Sequence, residues 1–165
     1  MVAAGRAGST QRRLTLLAVL GMAYWFFGNL YEAVVYSPNW IEDSPAQFTR
    51  LHEFFGTTSP TLYFVPLTQL ATILVWLLGW RNRDDEVRRD YRRAAIAASL
   101  LTALTVSIVV AVIPRMFGAD YLADPDRLNA AAWQWNVLNI FRMALTATTA
   151  WHLFSAFRKL DRRLP

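Results

Sequence analysis

Glu32 and Asn29 interrupt a run from Leu14 to Tyr36 that holds no other strongly polar side chain. A second run, Trp133 to Phe157, carries Asn136, Asn139, Arg142 and His152. A carboxylate, a guanidinium and side-chain amides in apolar surroundings are the residue types of acid/base chemistry. The carboxylate gives or takes a proton, and the guanidinium and amides hold the oxyanion that develops. Trp25, Asn29, Glu32 and Tyr36 follow an i, i+4, i+7, i+11 spacing, which is one face of a helix. Trp135, Asn139, Arg142 and Thr146 repeat it, with Asn136 alongside.

The run from Leu14 to Tyr36 is long enough, at ~1.5 Å rise per residue, to cross the ~30 Å hydrocarbon core of a bilayer. Its length, and the lack of a small-residue cleavage site after it, argue for a retained span rather than a signal peptide. Thr61 to Trp80, Ala94 to Ile113 and Trp133 to Phe157 are similar stretches. The expected architecture is one all-α domain over residues 1–165, an integral membrane four-helix bundle with helices at about 14–36, 61–80, 94–113 and 133–157. The 55% hydrophobic composition agrees, and charged loops account for a mean hydropathy of only +0.22. Met1 to Gln11 is small and polar and predicts a disordered tail, and Arg81 to Arg93 predicts a tight charged connector.

Thirteen of the 17 basic residues fall in the N-terminal segment, the second loop and the C-terminus. The first loop has only Arg50 and the third only Arg115 and Arg127. The positive-inside rule then makes both termini and the second loop cytoplasmic, in a multi-pass protein of a bacterial cytoplasmic membrane. Basic residues sorted by side rather than gathered on a recognition element exclude a nucleic-acid partner. The Arg-rich second loop is a topology determinant with some attraction for lipid headgroups. In the first outer loop, Ser44, Pro45 and Gln47 signal a helix start. Phe48, Leu51 and Phe55 then share a face, so a short interfacial helix ending near Gly56 is expected, as an anchor or a lid.

Counting from the outer helix ends places Asn29 ~10 Å, Gln69 ~12 Å and Arg142 ~13 Å deep, a common level. Tyr63, Pro66 and Gln69 mark a polar face on the second helix, and Trp25, Tyr63 and Trp135 would supply aromatic walls. The candidate catalytic residues are Glu32, Arg142, Asn29 and Asn139. Trp25, Tyr36, Tyr63, Gln69, Trp135 and Asn136 would bind substrate. His52 and His152 fall at opposite ends, and no zinc-protease or di-iron spacing occurs, so no metal is expected. With no cysteine, thiol chemistry is excluded, and without a phosphate-binding loop no cofactor is expected. Trp40, Trp80, Tyr91 and Trp133 suit interfacial belts.

Placing Arg or Asp at the centre of a membrane helix costs roughly 2.5 to 3.5 kcal/mol, so Glu32 and Arg142 must face the interior. Two functions follow. One is an enzyme acting on a lipophilic small molecule, with Glu32 as acid or base. A neutral Glu32 would start a cyclisation or isomerisation by protonating an alkene or epoxide, and an ionised one would deprotonate a phenol or anthrone. The other is a non-catalytic lipid or quinone binder, or an accessory subunit, in which Glu32 and Arg142 pair and fix helix register. A transporter would need a polar path that the cytoplasmic half lacks. The small residues Gly21 and Gly28, and Ala94, Ala95, Ala97 and Ala98, favour close helix packing within or between chains, so no oligomeric state follows.

A first helix ending at Ser37-Pro38, a proline-bearing second helix, and Trp135-x3-Asn139-x2-Arg142 on the fourth together resemble the anthrone oxygenase-like family. The resemblance implies a small four-helix integral membrane protein. It also implies cofactor-independent oxidation of anthrones to anthraquinones, with Trp135, Asn139 and Arg142 as the residues that transfer.

Overall fold

The structure is a computed structural model that describes residues 2–82 and 84–163. It is all-helical, with no strand among the described residues. Helix α1 (Val2–Tyr31) runs into a five-residue π-helical turn (Glu32–Tyr36) and then α2 (Ser37–Ile41). These are followed by α3 (Ser44–Phe54), α4 (Pro60–Arg81), α5 (Asp85–Ala111), α6 (Ile113–Phe117) and α7 (Pro125–Asp161).

The helices exceed the apolar stretches because their ends are set by capping rather than hydropathy. The Asp84 carboxylate accepts from the Glu86 amide (3.2 Å) and the Asp124 carboxylate from the Arg127 amide (3.0 Å), while Pro60 and Pro125 open α4 and α7. The expected Arg81 to Arg93 connector is therefore mostly the first turns of α5. The expected disordered tail is helical from Val2. Three segments are long and apolar enough to cross a membrane: Gly8–Ile41, Pro60–Arg81 and Asp85–Phe117. Helix α7 is longer than any of them, but Asn136, Asn139, Arg142 and His152 lower its hydropathy.

Helix α1 packs on α4 and α7, and α5 packs on the same two, so the four long helices close a ring. Arg12 on α1 binds Asp161 at the end of α7 at 2.7 Å, and Arg163 binds Asp84 and Glu86 at the start of α5. Both chain ends and the α4–α5 connector thus share one end of the molecule, with α2, α3 and α6 at the other. Close approach within the chain uses the small residues. A Cβ on Gly21 would lie 2.5 Å from the Ala71 Cβ, one on Gly28 2.6 Å from the Phe64 ring, and one on Gly79 2.8 Å from the Ala95 Cβ. Ala94 and Ala98 are fully buried.

The apolar core is in two pieces. Nearer the chain ends, Ala18, Met22 and Trp25 of α1 pack with Ala71, Val75 and Leu78 of α4, Leu101 of α5 and Leu153 of α7. Nearer α3, Trp40, Phe48, Ile108, Val112 and Trp135 form a second cluster to which α4 contributes nothing.

Tyr91 and Trp40, expected at the interfacial belts, are core residues. Tyr91 is fully buried with its hydroxyl against Thr15 Oγ1, and Trp40 packs on Trp135. A tyrosine or tryptophan is admitted to a core when its polar tip or its ring face finds a partner.

Three outcomes are expected from thermal melts in detergent. Gly21→Val should lose about 1–3 kcal/mol because the added carbons meet Ala71. Gly8→Ala, with open space around it, should be neutral or stabilising. Asp84→Ala should cost roughly 1 kcal/mol through the lost cap and ion pair. The Arg163 guanidinium holds the Asp84 carboxyl below the ordinary value of 3.8. Its contribution is therefore full above that value and lost as pH falls through the lower folded one, so wild type and variant should converge in acid.

Candidate functional site

The turn that begins at Glu32 is set by Pro38. Proline has no amide hydrogen, and its ring clashes with the carbonyl four residues back, so the α ladder cannot pass through it. The chain widens instead: the Ser37 amide bonds the Glu32 carbonyl, five residues back, and Asn39 Nδ2 donates to the Val35 carbonyl at 2.7 Å. The extra residue shifts the inward stripe. An unbroken α-helix would follow Trp25, Asn29 and Glu32 with Tyr36. Here the buried residues are Ser37 and Trp40, and Tyr36 is half-buried, stacked on Trp40 at 6.0 Å. π-Turns occur preferentially at functional sites, where they re-aim side chains.

Between the two apolar clusters lies a polar layer. Asn139 is fully buried, Asn29 is 3% exposed, and Glu32, Asn136 and Arg142 are half-buried. Asn139 Nδ2 donates to the Asn29 carbonyl at 3.0 Å, which joins α7 to the last turns of α1. Arg142 is the charge that acts on Glu32, yet the two form no direct ion pair, and neither side chain has a hydrogen-bond partner among the described residues. Trp25 floors the layer. Trp135 roofs it, with Trp40 edge-on at 4.7 Å.

Among the described residues, nine buried side-chain polar atoms have no hydrogen-bond partner, and eight belong to residues of this layer or its roof. They are Asn29 Nδ2, Ser37 Oγ, Trp40 Nε1, Thr105 Oγ1, Asn139 Oδ1, Arg142 Nε and both amide atoms of Asn136. Buried polar groups are otherwise paired, and each unpaired one costs about 1–3 kcal/mol. Their concentration in one layer, beside an unpaired carboxylate, is what marks this layer as the candidate site.

Of the expected residues, Glu32, Asn29, Asn139, Arg142, Asn136, Trp25, Trp135 and Tyr36 are in or against this layer. Tyr63 and Gln69 are not. Tyr63 is 64% exposed and Gln69 is exposed, because the face that α4 buries is that of Thr68, Ala71, Thr72 and Val75. Ser37, Trp40 and Thr105 escaped the sequence reading. Thr105 had a signal, as an inward polar residue between Leu101 and Ile108, while Ser37 and Trp40 depend on the π turn.

Helix α3 covers the far end as expected, from Ser44 to Phe54. Phe48 is fully buried, and Asn129 Nδ2 of α7 bonds both the Ile41 carbonyl and Ser44 Oγ at 2.9 Å, so the cap is pinned to α7. His52 stacks on Tyr121 at 4.3 Å, while His152 lies 3.8 Å from Asp90 near the chain ends. No protein-family model, curated protein or solved structure matches the chain.

The two asparagines of α7 separate structure from site. Asn139→Leu should lower thermal stability by about 1–2 kcal/mol because it removes the bond to Asn29. Asn136→Leu, which removes two unpartnered atoms, should leave stability unchanged or raise it. Equal losses in melting experiments would place Asn136 in the framework.

Proposed function

We propose that the chain is a four-span membrane enzyme with cytoplasmic termini, and that Glu32 acts as the general base on a lipophilic small molecule held in the polar layer. The topology rests on the basic residues of the chain ends and the α4–α5 connector, which share one end of the molecule. On this orientation the layer lies in the outer half. Helix α7 is the fourth span, and its polar residues are tolerated because they face the interior.

The observation that carries the chemistry is the set of unpartnered donors beside an unpaired carboxylate. Among the described residues, Asn29 Nδ2, Asn136 Nδ2 and Arg142 Nε have no acceptor, and Glu32 has no donor. A base that takes a proton from an O–H, or from a C–H conjugated to a carbonyl, leaves an electron pair that settles on oxygen. Amide and guanidinium donors in a water-poor layer stabilise that oxyanion. Proton-initiated cyclisation needs no such donors, so deprotonation is the better fit.

An anthrone has the required groups: a carbonyl, an acidic methylene opposite it, and an apolar ring system for Trp25, Trp40 and Trp135. Deprotonation at the methylene gives an anthrolate that reacts with dioxygen, and loss of water leaves the anthraquinone. The likeness of Trp135-x3-Asn139-x2-Arg142 to the anthrone oxygenase-like family supports the same substrate class. Access is lateral. The outer half of α4 is exposed at Leu62, Tyr63, Val65 and Leu67 and takes no part in the second core cluster.

Membranes containing the chain should convert an anthrone to the quinone in air, followed by absorbance and mass. Glu32→Gln should lower turnover by about a hundredfold or more with an unchanged melting temperature; wild-type turnover in that variant sinks the assignment. The paired Glu32→Leu, Arg142→Leu replacement distinguishes the non-catalytic binder. An enzyme loses turnover and keeps its fold, whereas a binder keeps both its function and its stability.

A further inference from the structure

Arg88, Arg89, Arg92 and Arg93 lie on the first turns of α5, at the opposite end of the molecule from α3. With Asp85 and Ile96 they line a surface groove of about 330 Å³. Three cations elsewhere at this end are paired. Arg163 takes Asp84 and Glu86, Lys159 takes Asp90, and Arg12 takes Asp161. Those carboxylates are thereby used up, and Asp85 reaches only Arg88, at 3.4 Å. Arg89, Arg92 and Arg93 have no hydrogen-bond or ion-pair partner among the described residues. Spaced i, i+3, i+4, their guanidiniums converge on one patch of helix surface.

The same stripe continues toward the apolar middle of the helix. Ile96 and Leu100 follow Arg92 at i+4 and i+8 and are 61% and 56% exposed. Helix α5 belongs to a segment long and apolar enough to cross a membrane. Cations at the end of such a helix, above an exposed aliphatic stripe, match the two parts of a phospholipid. We propose that this face is a binding site for one anionic phospholipid, its phosphate held by Arg89, Arg92 and Arg93 and one acyl chain lying along Ile96 and Leu100. Guanidinium groups bind phosphate oxygens through paired, charge-assisted hydrogen bonds, which gives a site rather than diffuse attraction.

The test uses the purified full chain in neutral detergent, titrated with phosphatidylglycerol or phosphatidylcholine and read by native mass spectrometry. Phosphatidylglycerol should bind saturably, one per chain, and phosphatidylcholine should not. The triple variant Arg89→Gln, Arg92→Gln, Arg93→Gln should bind about a hundredfold more weakly, at roughly fivefold for each guanidinium. Arg50→Gln, in the first loop, should bind as the wild type does. Non-saturating uptake, or an equal loss from Arg50→Gln, overturns the proposal in favour of diffuse attraction. Equal competition by glycerol phosphate overturns the acyl-chain contact and leaves a phosphate site only. Should the triple variant fail to accumulate, Arg92→Gln alone is expected to weaken binding about fivefold, and wild-type affinity in it overturns the assignment.

Discussion

The bond from Asn139 to the Asn29 carbonyl is the contact on which the middle of this molecule depends. It is buried, it joins two long helices, and it crosses the layer where the apolar core is interrupted. A hydrogen bond adds only about 1 kcal/mol net, but an unmade one in apolar surroundings costs more. Helices α1 and α7 therefore cannot slide past each other without exposing that cost. Around this fixed point the other polar atoms stay unpartnered, which makes the layer rigid in position and unsatisfied in chemistry.

Two proline-linked features set the geometry around it. Pro38 forces the π turn that starts at Glu32, and the turn brings Ser37 and Trp40 inward above the carboxylate. Pro60 opens α4, whose small-residue packing against Gly21 and Gly28 holds it to α1. Helix α4 spends its buried face on α1 and α5 in the first cluster, so the second core cluster is built by α2, α3, α5, α6 and α7 without it.

Helix type and approximate position were legible because long apolar runs admit little else. Glu32, Asn29, Asn139 and Arg142 were legible because polar residues in such runs are few and their spacing is helical. Counting at a constant α period could not foresee an inserted residue, and so it reaches Tyr36, which is half-buried, and passes over the fully inward Ser37 and Trp40. Equal depth does not ensure convergence either. Gln69 sits one residue from buried Thr68, and that step of about 100° around a helix of 3.6 residues per turn is enough to point it outward. Hydropathy could not foresee the burial of Tyr91, since the partner that admits it, Thr15, lies 76 residues away.

The absence of α4 from the second core cluster bears on how a ligand would be supplied. On the proposed lateral access, a molecule entering beside the exposed half of α4 comes from the bilayer, not from water. Its occupancy then follows its mole fraction in the lipid, and diluting the membrane with inert lipid weakens binding at constant aqueous concentration. Hydrophobicity in the ligand raises its local supply without adding any contact to the protein, so selectivity falls on the polar atoms of the layer.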